Sequence, residues 1–377
     1  MPMLLFMPWC PIDQEYTVGD IRILPFDRQQ PIAELDGTIN AKINEILGSY
    51  RNIKGEPIRK AALLQFVGKS AVADLTPEEL DSAADFVSWA CFSALARRDY
   101  FGLQLDYCNS DNFSLVLQKF DLTSDVTCLQ VHRRDDDTWS GRSMLDTVLS
   151  IPINCHTVQR ISLDGDVVSG IKRARGAPPE QDFRRWQEAI DCFNQSCTDD
   201  PKFRDHVAWV LLCAALQRIL GAKSKADDVA PKFERHFTPP RPRMAKGTAR
   251  FKSDSNTDHS VRYEWSHEFY RIRGDFAHGN LSPTQTMRWT PREHLFLATI
   301  AFPLLVKSLL LSKGYYELTL DDRAQIESFE EFASAASFGS TPKSDDDQPQ
   351  ALWPLLIDNY RQKEFRANLA RDLGLES

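Results

Sequence analysis

An α+β domain followed by an all-helical bundle is the architecture the sequence predicts. Three observations point to it. Runs with strand-like alternation or β-branched content are confined to roughly the first 165 of the 377 residues. Beyond them apolar residues recur at three- to four-residue spacing, the period of amphipathic helices. The chain is also long for a single compact core, so two domains are expected.

Taken in order, "MPMLLFMPWCPID" reads as a buried leading strand, because Pro2, Pro8 and Pro11 break it and no basic segment precedes it. "TVGDIRILPF", "FSLVLQKF" and "TCLQVHRR" read as further strands. Two helices interleave, one over residues 32–50, the other opening at Thr76 with Pro77 and Glu79 behind it and running to about residue 100. The first domain is set at 1–165, with a possible sensing or regulatory role. "ISLDGDVVSGIKRARGAPPEQ" reads as a connection, its linker placed at 166–181 by its Asp-Gly, Gly and Pro-Pro signals; the small basic patch Lys172, Arg173 and Arg175 belongs to this solvated stretch.

A helical bundle is expected over 182–336. Phe183, Trp186, Ile190 and Phe193 give its first helix. Val207, Val210, Leu211, Ala214 and Ile219 give a second over 203–220, stopped by Gly221. About 40 irregular polar residues follow, then a helix over 259–278. The next helix starts at Thr290, with Pro291 first and Glu293 closing a capping box. Residues 337–350 form a low-complexity linker, and 351–377 a terminal amphipathic helix.

Composition narrows the function. The apolar share is 42%, the charged share 26% and the net charge −8, so the molecule as a whole is no electrostatic nucleic-acid binder. The eight cysteines form no CxxC, and a cytoplasmic location without a membrane partner is expected. The most apolar run, 295–311, is broken by Pro303 and Lys307 and reads as a core helix. No metal or cofactor is expected. Cys192, Cys197 and His206 fit no zinc spacing, His267–Glu268 is followed by Arg271 rather than a second histidine motif, Cys155–His156 has no third partner, and no phosphate-binding glycine loop occurs.

Chemistry concentrates in "FYRIRGDFAHGN". Trp265, Phe269, Ile272 and Phe276 form an apolar stripe, with Arg273 beside it and His278 five residues on, before Gly279 and Pro283. In an ideal helix five residues turn the two side chains roughly 140° apart. A loosened last turn brings the imidazole toward the guanidinium. The pair has two readings: a helix terminus whose carbonyls His278 caps, or a catalytic pair. In the second, His278 is the general acid–base and Arg273 clamps a phosphate in RNA transesterification. Asp275 is then an orienter and Tyr270 a support.

A basic run, "KFERHFTPPRPRMAKGTARFK", carries Lys232, Arg235, Arg241, Arg243, Lys246, Arg250 and Lys252 against Glu234. It is read as an RNA-tracking loop with Phe233, Phe237 and Phe251 available to bases, or as a solvated loop with no ligand.

The helical half resembles the higher-eukaryote-and-prokaryote nucleotide-binding (HEPN) superfamily in its ApeA-like branch. Tyr270, Arg273, His278 and Gly279 fit that branch's Tyr-x-x-Arg-x4-His-Gly, and "WQEAIDCFNQSCTDDPKFRDHVAWVLLCAALQRILG" is similar to its first two helices. The resemblance covers about 140 residues. It implies a metal-independent endoribonuclease acting in phage defence, as a toxin or in RNA processing, with RNA as partner. It further implies a homodimer that pools Arg273 and His278 from two bundles, and leaves a trigger or antitoxin partner open. Two positions depart from the family: Gly274 stands where many members have Asn, Asp or His, and Gln217 where many have glutamate. Both favour the alternative, a non-catalytic module that binds RNA or a protein.

Overall fold

The computed structural model describes residues 2–30, 32, 35–52, 54–98, 107–120, 122, 128–130, 139–141, 149–150, 158–177, 179–237, 239, 242–251, 258–277, 287–336, 338 and 351–372. The chain divides into two compact units, 1–172 with 197–203, and 173–196 with 204–377.

The first unit is built on an antiparallel sheet. Its strands are β1 (Met3–Met7), β2 (Tyr16–Val18), β3 (Ile21–Asp27), β5 (Lys60–Phe66), β6 (Val72–Ala73), β7 (Val116–Lys119), β8 (Cys128–Gln130) and β9 (Trp139–Gly141). Their order is β2-β3-β5-β1-β7-β8-β9, with β6 also paired to β1. Every residue of β1 is buried, as the leading apolar run predicts. Gly19 makes the β2–β3 hairpin at a φ of 67°, a left-handed conformation that glycine adopts without strain. On one face Leu4, Phe6, Leu24, Phe26 and Leu63 pack with Ile43, Ile46 and Leu47 of α1 (Gly37–Gly48). That helix starts five residues later than expected, where the Asp36 carboxylate accepts from Thr38 N–H. A two-stranded parallel pair joins β4 (Tyr50–Arg51) to β10 (Leu149–Ser150). Helix α2 (Pro77–Leu95) opens on the expected capping box of Thr76 and Glu79, but it stops well before residue 100.

The expected linker 166–181 is helical over its first ten residues and again from Glu180, which leaves only a short connection between helices. Residues Gly165–Arg175 form helix α3, and the division between the units falls inside it. Asp164 caps it by accepting from Val167 N–H, and Val167, Val168, Ile171 and Ala174 are buried at helical spacing. Gly165 and Gly170 masked that period in the sequence. Its basic residues lie on this helix and not in a linker, although Arg173 and Arg175 are exposed as expected: Lys172 pairs with Asp20, and Arg173 donates to the Tyr315 carbonyl.

The second unit is all-helical among the described residues. It comprises α4 (Glu180–Ser196), α5 (Asp205–Ile219), α6 (Ala226–His236), α7 (Val261–Ala277), α8 (Pro291–Ser312), α9 (Leu320–Ser334) and α10 (Leu352–Asp372). Helix α7 packs on α5, α6 and α9, and α10 packs on α9. The irregular stretch expected after Gly221 is corrected in part: α6 occupies 11 residues of it, with Val229, Ala230 and Phe233 buried. Pro231 inside the helix concealed it. Helix α8 opens on the predicted Thr290–Glu293 capping box. It alone among the described residues is long and apolar enough to cross a membrane, and 67% of its apolar window is buried within the fold. Its Lys307 reaches Asp322 of α9 at 2.7 Å, both side chains buried. The linker expected at 337–350 lies outside the described residues except for Phe338.

Candidate anion site around Arg273

Helix α5 ends in a Schellman turn. Gly221, at a φ of 54°, donates to the Arg218 carbonyl at 3.0 Å, and Ala222 donates to the Gln217 carbonyl at 2.9 Å. The turn reverses the chain and presents Ser224 to α7. On α7, Tyr270 and Arg273 are three residues apart and share a face.

These four residues form one network. The buried Tyr270 hydroxyl donates to Gln217 Oε1 at 2.6 Å and accepts from Arg273 Nη1 at 3.0 Å. Arg273 Nη1 also donates to Gln217 Oε1 at 3.2 Å, and Nη2 to Ser224 Oγ at 3.1 Å. The guanidinium carbon lies 5.2 Å from the Tyr270 ring centre. All of its hydrogen-bond partners among the described residues are uncharged. No described carboxylate pairs with Arg273, so its charge stays available to an incoming anion. Arg273 in turn pulls down on the Cys213 thiol, which burial holds far above its ordinary value.

Tyr270 thus stands beside Arg273, as expected. Asp275 does not: it makes no hydrogen bond to Arg273, and its buried Oδ2 has no partner among the described residues. His278 lies outside the described residues, immediately beyond the last residue of α7. Gly274 is exposed, and a Cβ built there meets nothing within 4 Å.

The basic run is not one loop. Lys232 and Arg235 lie on α6, and Lys232 is held by Asp228 at 3.0 Å and by the Gly221 carbonyl at 2.9 Å. Arg250 is almost fully buried, paired with Glu293 and lying 5.7 Å from the Trp289 ring centre. Arg243 pairs with Glu331 at 3.8 Å. Phe233, Phe237 and Phe251 are core residues, so the reading of them as base-stacking groups is corrected. Lys246 is exposed, while Arg241 and Lys252 lie outside the described residues. The cations that flank the site in sequence are instead Lys223 and Lys225, both exposed on either side of Ser224. Sequence reasoning missed them, and it missed Ser224; only the Gly221 stop signal hinted that the chain returns here. Among the described residues no group of three or more His, Cys, Asp or Glu is placed to hold a metal ion.

Comparison with protein-family models, curated proteins and solved structures returned no match for the chain.

Proposed function

We propose that the helical unit is a HEPN-like endoribonuclease whose Arg273 clamps an RNA phosphate. The observation that carries this reading is the uncharged shell of Gln217, Tyr270 and Ser224, which orients the guanidinium without neutralising it. A planar fork so held matches the oxygens of a phosphodiester, and in a transesterification it stabilises the charge that builds on phosphorus. His278, five residues on, supplies the proton transfers: it takes the ribose 2′-OH proton, and a histidine returns one to the departing 5′-oxygen. The 2′-oxygen to phosphorus bond forms as the phosphorus to 5′-oxygen bond breaks. This scheme uses no metal. A two-fold dimer would bring two copies of each residue into one cleft. The biological setting that goes with it is a cytoplasmic effector of phage defence or a toxin.

The second reading is a non-catalytic module that binds RNA or a protein partner. What favours it is that Gly274 and Gln217 stand where many members of the resembled family carry other residues, and that Asp275 has no hydrogen bond to Arg273. The experiment that separates the two is incubation of the purified chain with single-stranded RNA in EDTA. The enzyme reading predicts fragments ending in a 2′,3′-cyclic phosphate and a 5′-hydroxyl, absent with His278→Ala. Binding without cleavage in both proteins leaves the second reading standing.

A further inference from the structure

The first unit contains a cavity of about 380 Å³ between the chain that follows β1 and the β4–β5 connection. Its volume lies in the range of small-molecule sites. One wall is the Trp9 indole, which is only partly buried. That ring is fixed: Nε1–H donates to the Arg51 carbonyl at 3.2 Å, and the ring meets Tyr50 edge-on at 5.8 Å between centres. Pro11, Pro57 and Ile58 supply further apolar lining.

The polar lining is sparse and its charge is biased. Arg59 and Lys60 line the cavity, against Glu56 alone. Glu56 is tied down, with Oε2 accepting from Asn52 Nδ2 at 2.9 Å. Arg59 grips Asp27 through Nε at 3.2 Å and Nη2 at 3.1 Å. Asp27 offsets part of this charge, since Lys60 also acts on it electrostatically. Arg59 Nη1 and Lys60 Nζ nevertheless make no hydrogen bond or ion pair of their own with a described residue. Two cationic donors therefore stand at the edge of a mainly apolar recess that a flat, immobilised indole bounds.

We infer that this cavity binds a small planar aromatic anion, its ring against Trp9 and its anionic group on Arg59 and Lys60. An aromatic ring offers a broad contact to the indole face, and an anion satisfies the unpaired donors. Both side chains are exposed and hydrated when the cavity is empty, so a neutral aromatic forgoes only the charge-assisted hydrogen bonds, and a small inorganic anion leaves the apolar wall wet. The inference is independent of the nuclease reading, since all of these residues belong to the first unit.

The test uses 8-anilinonaphthalene-1-sulfonate and its uncharged relative N-phenyl-1-naphthylamine with the full-length chain, followed by fluorescence titration. The expected result is saturable one-to-one binding of the sulfonate, with the uncharged relative weaker by on the order of tenfold. Trp9→Ala and Lys60→Glu should each weaken the sulfonate about tenfold, with folding checked by circular dichroism. Lys60 is exposed at the start of β5, so its substitution keeps the test decisive even if Trp9→Ala fails to fold. Equal affinity for the two probes, or sulfonate binding unchanged by Lys60→Glu, overturns the inference.

Discussion

Gln217 Oε1 accepts from Arg273 Nη1 at 3.2 Å, and the acceptor carries no charge. A carboxylate at this position would hold the arginine as well but would neutralise it. Gln217→Glu should therefore weaken RNA binding and lower its salt dependence by somewhat less than one counterion, about 0.7 in slope for a single strand. Gln217→Ala should keep the slope and weaken binding through loss of orientation. Filter binding at several salt concentrations reads both. A stronger RNA complex with Gln217→Glu would contradict the role given to the neutral oxygen.

The cations of the basic run divide into two groups with different expected effects. The Arg250 side chain is nearly buried and ion-paired, so Arg250→Ala removes that partner from a Glu293 still held by Thr290 and should cost about 1–3 kcal/mol of stability. Lys223→Ala with Lys225→Ala should leave stability within about 0.5 kcal/mol but lower the salt slope of RNA binding. Urea unfolding and salt titration of the same proteins separate the effects. An Arg250→Ala protein as stable as the parent would refute the structural role given to the Arg250–Glu293 pair.

Stability should fall on mild acidification because of His294. Its ring is buried against Trp209, Phe269 and Trp289, and Nε2 lies 3.1 Å from Glu268 Oε1. Burial holds the imidazole below its ordinary 6.5, outweighing the upward pull of Glu268. Burial pushes the Glu268 carboxyl up, but hydrogen bonds from His294 and from the Trp289 and Arg288 amides bring it below its ordinary 4.5. At neutral pH the neutral imidazole therefore donates Nε2–H to the carboxylate. Both groups take up protons more readily when unfolded, so stability is full above pH 6.5, drains as the pH falls through the window beneath it, and drains further below 4.5. Urea midpoints on either side of pH 6.5 measure this. Identical midpoints would contradict it, and His294→Phe should flatten the upper part of the profile.

Gly274→Ala should stabilise the protein by roughly 0.5–1 kcal/mol, because the new Cβ meets nothing within 4 Å and glycine is a poor helix former. RNA binding should be unaffected, which thermal melting and filter binding would check together. A destabilised Gly274→Ala protein would mean that α7 is not regular at this position.

Much of the fold was legible because its signals are local. The capping boxes at Thr76 and Thr290 announce α2 and α8, and the Phe183–Phe193 stripe announces α4. Helices α3 and α6 stayed hidden because glycines or Pro231 interrupt short periods that tertiary burial nevertheless completes. The same cause misplaced the basic run: charge is visible in sequence, whereas the pairing of Arg250 with Glu293 joins residues 43 apart. At the site, the Tyr270–Arg273 spacing was readable on one helix. Gln217 reaches Arg273 only through the packing of α5 on α7, and Ser224 only through the Gly221 turn.

The most direct measurement of the central claim is the salt dependence of single-stranded RNA binding by the parent chain and by Arg273→Ala. If Arg273 holds a phosphate with its full charge, the substitution lowers the slope of log affinity against log salt by about 0.7 and weakens binding at every salt concentration. Parallel lines of equal affinity for the two proteins would mean that the guanidinium faces no phosphate, and the site would have to be sought elsewhere.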